Sequence, residues 1–592
     1  MTGIKRIVAV LFLAMVSFAA MAGDVTPEKA RKAAELFFAK NDAATRSAAR
    51  LTLVNADEVH GTRSSAEGAA YYIFNREGGG FVIISAIDAA RPVLGYSLES
   101  SFSLDDDMPE NLREWMADYR SAILSSRRSG AVADAVTAAM WDDAMTATRA
   151  TSMPDAVDLG TPDWKQGAPC NRLCPVYNDT TTLAGCVAVA ISQLMGYYRY
   201  PEAGTGTLPG YTVSKRPIEV PSRQLGHKYD WDNMLSKYSS YNNVQATAVA
   251  TLVYDVAVMA KASFGPSATS ASTSSALPRL ATYMGYDAGM ARYGRDYSSA
   301  EEWAAILKEQ IGVKGQPVVI SGYSDAGGGH AFLVDGYDSR DRFLINWGWN
   351  GSSNGYFELD AFGKYNNTRV AYVDIRPRDT NVAVCTMRLY GYTASSGNVY
   401  AGVTYLSGNV TPGETFKVRY GGVQNYGFNK FNGRIGLSHV SADGTVKQQN
   451  CCTSKLELSI SASSYSGYSS VSVVCNNAIE PGDVLVPVFS EDGGATWKTM
   501  GYKREDENIT GRFPLHISDY SSLQYNKATG KFLIITFGDA SWTLTSPSGE
   551  NVTEGVRFSS GALTIDTSTY AHGVYKLVLR IGVQSTTVML TI

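Results

Sequence analysis

The chain has little charge and little histidine. Only 18% of its 592 residues are Asp, Glu, Lys or Arg, and six are His. With a net charge of −4 and no basic block or aromatic-basic stripe, it lacks the electrostatic footprint of a nucleic-acid binder. Beyond the N-terminus no apolar stretch approaches the roughly 20 residues that a membrane-spanning helix needs, so no membrane span is expected. The last two modules share no repeat, and no tract is of low complexity. No metal-ligand set or cofactor motif stands out, and none is expected. Cysteine is sparse, seven in all. An odd number in an exported chain implies one unpaired thiol.

Hydrophobic residues make up 44%, with 56 Gly and 35 Tyr. That balance suits extracellular proteins rich in strands and turns, and the length implies three or four domains. Lys5 and Arg6 precede an apolar run from Ile7 to Ala20, and Ala20-Met21-Ala22 supplies a small-x-small cleavage pattern. Residues 1–22 are thus expected to be a signal peptide, leaving a mature protein that is soluble outside the cytoplasm.

The chemistry-bearing part is expected to be α+β. Residues 23–149 form a small α+β unit: a helix from Thr26 to Lys40, strands at Tyr71–Phe74 and Phe81–Ile84 joined through Gly78-Gly79-Gly80, and a helix from Pro109 to Ser125. The Ala/Thr-rich stretch Ala131–Ser152 has no clear apolar stripe and is expected to be a linker. Within 150–378, helices at Cys186–Tyr198 and Asn243–Ala262 precede strands at Pro317–Ile320, His330–Tyr337, Phe343–Trp347 and Gly355–Leu359. A helical half followed by an antiparallel half is an α+β layout. Short alternating runs in 380–512 imply a β-sandwich, and 515–592 a last β-rich unit.

A thiol attacks an amide well only as thiolate, which needs an imidazolium or a helix N-terminus nearby. Cys186 follows the turn Thr180-Thr181-Thr182-Leu183-Ala184-Gly185 and opens an apolar helix. Unpaired backbone N–H groups there favour negative charge. The bland reading is a buried cysteine that packs as a small hydrophobe. His330 follows Gly327-Gly328-Gly329 and begins an apolar strand, which is a setting for a general base; the bland reading is a satisfied core histidine. Asn346, in Asn346-Trp347-Gly348-Trp349, offers an amide oxygen to orient that base, and the indole of Trp347 can shield the pair. Gln166, in Trp164-Lys165-Gln166-Gly167, can donate to an oxyanion together with the Cys186 N–H.

These residues occur in the order Gln, Cys, His, Asn, with Cys186 144 positions before His330. The order and spacing are those of papain-like peptidases. The runs Gly185-Cys186-Val187-Ala188-Val189-Ala190, Gly328-Gly329-His330-Ala331-Phe332 and Asn346-Trp347-Gly348-Trp349 resemble the streptopain family of secreted papain-fold cysteine peptidases. Phe264-Gly265-Pro266-Ser267 and Gly355-Tyr356-Phe357-Glu358-Leu359-Asp360 match its pattern as well. The N-terminal unit resembles that family's inhibitory propeptide, through Gly80–Ser85 and Leu94–Ser97. The resemblance covers roughly 25–377. It implies a zymogen acting on protein or peptide substrates with its own propeptide as inhibitor. It also implies Cys186 as nucleophile, His330 as base, Gln166 as oxyanion donor, and substrate contacts at Ser270 and the backbone of Gly329; Trp347 is expected to contact substrate as well. The loop Ala268-Thr269-Ser270 and the pair Cys170 and Cys174 depart from the family pattern.

Two other classes fit parts of the chain. An adhesin or carbohydrate-binding protein on an inactive papain-like scaffold suits the β modules, but leaves the four polar residues without a purpose. A transglutaminase-like acyl transferase suits Cys and His, but prefers a carboxylate as third member. Labelling by a peptidyl epoxide together with casein cleavage separates the three.

Overall fold

The computed structural model describes residues 23–41, 50–54, 68–103, 108, 110–146, 156–323, 329–359, 369–379, 385–390, 392–393, 399–400, 402–408, 410–502, 511–516, 524–526, 531–535, 541–553, 556–559, 562–566, 570–581 and 584–591. The expected signal peptide, the Arg149-Ala150 junction and Gly327-Gly328 lie outside the described residues. Along the chain run α1 (Pro27–Asn41), β1 (Leu51–Val54), β2 (Tyr71–Arg76), β3 (Phe81–Ser85), β4 (Val93–Ser97), α2 (Glu110–Ser129) and α3 (Ala135–Ala144). There follow β5 (Val157–Asp158), α4 (Cys186–Tyr198), α5 (Asn243–Met259), α6 (Thr273–Tyr283), β6 (Ala291–Gly294) and α7 (Ala300–Lys308). Then come β7 (Val318–Tyr323), β8 (Gly329–Tyr337), β9 (Arg342–Asn346), β10 (Gly355–Glu358) and β11 (Val370–Val373). No helix among the described residues is long and apolar enough to cross a membrane.

Two compact units emerge. The first holds residues 1–158, 163–165 and 334–365. Its strands run in the order β1-β2-β3-β4-β10-β9-β8, so the N-terminal hairpins continue directly into the β9–β10 hairpin. Tyr96 pairs with Tyr356 and Gly95 with Phe357. Gly355 has no alternative there, because a Cβ on it would sit 2.4 Å from the Tyr96 carbonyl oxygen. Helix α2 buries Leu112, Trp115, Met116, Tyr119 and Ile123, the spacing of one helical face. The Tyr119 hydroxyl reaches the carbonyls of Leu94 at 2.9 Å and Glu358 at 2.6 Å. Arg342 and Asp338 form a buried ion pair at 2.7 Å, and the Tyr96 hydroxyl donates to the same carboxylate at 3.1 Å.

The stretch expected as a linker is in part helical. Asp134 caps α3 by accepting from the Thr137 N–H, and the helix anchors itself through Trp141, 5% exposed, whose Nε1 donates to the Ala90 carbonyl at 2.8 Å. One large side chain suffices to dock so short a helix, and one side chain makes no stripe.

The second unit holds residues 159–162, 166–333 and 366–592. Helices α4 and α5 pack together, α5 beginning with a capping box of Asn242 and Gln245. Strand β11 pairs antiparallel with both β6 and β7. The sandwich forms as expected. One sheet contains Met387–Tyr390, Val403–Gly408, Thr415–Asn425 and Tyr465–Val474. The other is centred on Phe431–Val440, which pairs with Leu456–Ile460 and Val484–Ser490. Phe416, Val418 and Tyr420 from the first sheet and Phe431, Leu437 and Leu485 from the second share one apolar core. The last module has a four-stranded and a three-stranded sheet.

Candidate active site

Cys186 is the first residue of α4, and Gly185 stands at the N-cap with φ +93°. A Cβ at residue 185 would lie 2.9 Å from Thr269 Cγ2 and 3.1 Å from the Thr269 carbonyl oxygen. Glycine is therefore required on both counts, for its backbone angle and for its closeness to Thr269. No side chain caps the helix, so its first N–H groups face the entry where the thiol sits.

The approach to Cys186 is fastened at Thr182, Leu183 and Ala184 in turn. Thr182 N–H and hydroxyl both reach the Pro175 carbonyl, and Asn171 Nδ2 donates to the Thr182 carbonyl at 3.0 Å. Leu183 N–H donates to the Gly265 carbonyl at 3.0 Å, and Ala184 N–H donates to the Gln166 carbonyl at 3.0 Å. The Gln166 backbone is thus bonded to the residue two places ahead of the thiol. The hydroxyl of Thr269 accepts from Gly265 N–H at 2.9 Å and donates to the Leu183 carbonyl at 2.7 Å. Thr269 holds the turn from behind, a role the sequence reading did not assign. Its only sequence signal is its place in Ala268-Thr269-Ser270.

Cys186 is half-buried. The odd count implied one unpaired thiol, and all seven cysteines are in fact unbridged. Burial sets Cys186 and Cys452, both half-buried, apart from the rest. Five are buried, and Cys174, with Cys170 beside it, is pushed up to about 12 by desolvation. A thiol so raised is protonated and unreactive at neutral pH.

His330 is the second residue of β8, half-buried, and Gly329 before it is exposed. A cavity of about 480 Å³ is lined by His330, Gly329, the Ser270 loop and Val187, the neighbour of Cys186 on α4. The thiol's helix start, the imidazole and two expected substrate contacts therefore meet at one opening. Arg292, Tyr372 and Tyr426 also line it and were not foreseen. Two other histidines are engaged in carboxylate pairs. His227 meets the fully buried Asp255 at 2.7 Å, and His439 meets Asp483 at 2.8 Å inside the sandwich.

Asn346 and Trp347 belong to the first unit. Asn346 ends β9, is 2% exposed, and accepts from Gly348 N–H at 3.1 Å. Trp347 was expected to contact substrate, but at 1% exposed it is closed to one in this form. Its Nε1 donates to the Ser353 carbonyl at 3.1 Å, and its ring packs against Trp115 and Phe357. Asn111 Nδ2 reaches the Trp347 carbonyl at 3.4 Å. Asn354 ties the same loop to Asp163 at 2.8 Å, and Trp349 bridges to Lys165, next to Gln166 in the chain.

Residues 164–357 match the Peptidase C10 family, and residues 22–123 match the Spi protease inhibitor family. Streptopain of Streptococcus pyogenes is 30% identical over 382 residues, covering 59% of this chain and 92% of that protein. The thiol protease/hemagglutinin PrtT of Porphyromonas gingivalis is 29% identical over 393 residues, 62% of this chain and 44% of that protein. A solved fragment of Prevotella intermedia prointerpain A has 26% identity and a TM-score of 0.46, covering 56% of this chain and all of that fragment. The chain belongs to the Peptidase C10 family of streptopain-type cysteine peptidases and carries its inhibitor domain ahead of the catalytic one.

Proposed function

We propose that this cysteine peptidase is an exported endopeptidase in which Cys186 is the nucleophile and His330 the general base. His330 takes the thiol proton as sulfur attacks the substrate carbonyl carbon. It then passes that proton to the departing amine, leaving a thioester on Cys186. Water attacks the thioester, His330 accepts its proton, and the acid product leaves as the thiol is restored. The Gln166 side-chain amide and the Cys186 N–H donate to the oxyanion in both halves. Asn346 orients the imidazole, and Ser270 and Gly329 contact the substrate backbone. The observation that carries the reading is the half-exposed thiol at the start of α4, on a loop bonded to Gln166, beside a cavity lined by His330.

The N-terminal region 23–149 serves as the propeptide of the zymogen, and residues 1–22 direct export. Cleavage within 140–155 frees a catalytic domain that begins about Ala150. Cys186→Ala is the direct test. The variant should remain folded, leave its precursor uncleaved and fail to digest casein; digestion by purified Cys186→Ala would sink the assignment. Recombinant 23–149 added in trans should inhibit activated enzyme reversibly, and mass spectrometry should place the new N-terminus within 140–155. An active enzyme that retains 23–149 would refute the zymogen part alone.

A further inference from the structure

The cavity beside His330 has a wall that comes from the sandwich. Tyr426 follows the strand Thr415–Asn425 and lines the same opening as Ser270, Gly329 and His330. Its ring is held between two guanidinium groups, Arg292 Cζ at 4.3 Å from the centroid and Arg388 Cζ at 3.6 Å. Phe428 stacks on Tyr372 with centroids 6.2 Å apart, and the Tyr372 hydroxyl meets Ser321 at 3.2 Å on β7. Asn429 Nδ2 donates to the Ala288 carbonyl at 3.0 Å. The segment 426–429 is therefore seated on β6, β7 and β11 by rings and hydrogen bonds, not merely tethered near them.

Arg292 is the charged group in that wall. It lies on β6, half-buried, and its Nε donates to the Tyr426 carbonyl while Nη2 donates to Ser463 Oγ at 2.7 Å. Its guanidinium also lies over Phe428, 5.2 Å from the centroid. Both fixing bonds come from the sandwich and point the guanidinium one way. Among the described residues Nη1 has no hydrogen-bond partner, and no carboxylate pairs with Arg292. The charges that face it are of its own sign, since Arg388 shares the Tyr426 ring. Desolvation holds Arg292 below the ordinary guanidinium range, yet far above neutrality. Among the described residues the remaining lining is mostly hydroxyl-bearing or small, with Ser270, Ser272 and Ser321 prominent and no Asp or Glu. A half-buried cation with no counter-ion among the described residues is costly to keep, and a carboxylate entering this cavity would supply a partner charge and accept from Nη1.

We propose that the sandwich completes a substrate subsite beside His330, and that Arg292, seated by Tyr426 and Ser463, selects a peptide residue with a carboxylate side chain. The proposal rests on the Cys186–His330 reading of the site. A free peptide C-terminus carries the same chemistry, so the test uses peptides blocked at both ends.

The experiment compares kcat/KM of the activated full chain on capped peptide pairs that differ by Glu or Gln at each of four positions on either side of the scissile bond. At one position Glu should be preferred by roughly 10–100-fold, the range for a charge-assisted hydrogen bond. Arg292→Gln should bring that ratio close to one, and Arg292→Lys should retain part of it. Tyr426→Ala and Ser463→Ala should each lower it, which a subsite built from the peptidase strands alone would not show. A ratio near one at every position in the unmutated enzyme overturns the proposal, even where no variant folds. So does an unchanged ratio in Arg292→Gln, or a preference seen only with unblocked C-termini. An unchanged ratio in both sandwich variants removes the sandwich from the subsite. Cleavage by Cys186→Ala would instead defeat the catalytic reading, whatever the Glu/Gln ratio.

Discussion

Trp115 of α2 stands edge-on to Trp347, ring centroids 5.6 Å apart and planes at 74°. Trp347 follows Asn346 in the chain, so the inhibitor domain grips the residue beside the proposed orienting amide. Trp115→Ala removes a fully buried ring, a loss of about 3–5 kcal/mol. In a Cys186→Ala background it should lower the Tm of the precursor by roughly 10 °C. With Cys186 intact it should speed processing. An unchanged Tm would mean that the ring contact holds nothing together.

Thr269 should matter to turnover although it is not expected to touch the reacting atoms. Thr269→Val keeps the shape but loses both bonds of the hydroxyl, leaving the Gly265 N–H and Leu183 carbonyl unsatisfied at about 1–3 kcal/mol. The expected result is a fall in kcat with KM nearly constant, and recovery in Thr269→Ser. Equal loss in Thr269→Ser would point to the methyl group rather than the hydroxyl.

Gln166→Ala should lower kcat by about 10²–10³-fold, as for other single oxyanion donors. Alkylation of Cys186 by a small reagent should be little changed, because no oxyanion forms in that reaction. A change confined to KM would assign Gln166 to substrate binding instead.

His330→Ala should abolish turnover and also slow alkylation of Cys186 at neutral pH, since the imidazolium favours the thiolate. Asn346→Ala should be milder, because an orienting amide exchanges no protons. Unchanged alkylation kinetics in His330→Ala would remove His330 from the pair.

Glu358 gives the first unit a pH dependence of known sign. Burial pushes its carboxyl from 4.5 up to about 7, against the pull of Arg91 at 2.6 Å. A carboxyl raised on folding adds stability that is full below about pH 4.5 and is lost as pH rises through about 7. The change is worth about 2–3 kcal/mol. Precursor Tm should therefore gain on acidification from pH 8 to 5 through this group, and Glu358→Gln should flatten that part of the curve. An identical Tm–pH profile in Glu358→Gln would show that the group titrates normally.

Helix α4 and the position of Cys186 were legible because a Thr/Gly turn, an apolar run and Pro201 are local signals. Strands β8 to β10 were legible for the same reason, as continuous apolar runs bounded by turns. Helix α3 was not, since Trp141 is its one large buried side chain and its remaining ties, such as Asp143 to Lys40 and Arg340, are to residues distant in the chain. Strands β6 and β11 were also missed, each four residues long and defined by the strands beside them. The odd cysteine count pointed to one unpaired thiol, whereas all seven are unbridged, because parity says nothing of where thiols lie in space.

The sequence by itself determined the candidates for the chemistry and their order, since Cys186 and His330 stand out through their immediate neighbours. It also determined an N-terminal α+β region ahead of the catalytic one and a following sandwich. Only the tertiary structure decided that Thr269 braces the nucleophile turn, that Trp115 covers Trp347, and that Tyr426 and Arg292 share a cavity with His330. The pairs Thr269–Leu183, Tyr426–His330 and Trp115–Trp347 lie 86 or more positions apart, and Arg292 lies 38 positions before His330. Contacts at such separations are set by packing and strand pairing, which hydrophobic periodicity within a short window does not encode.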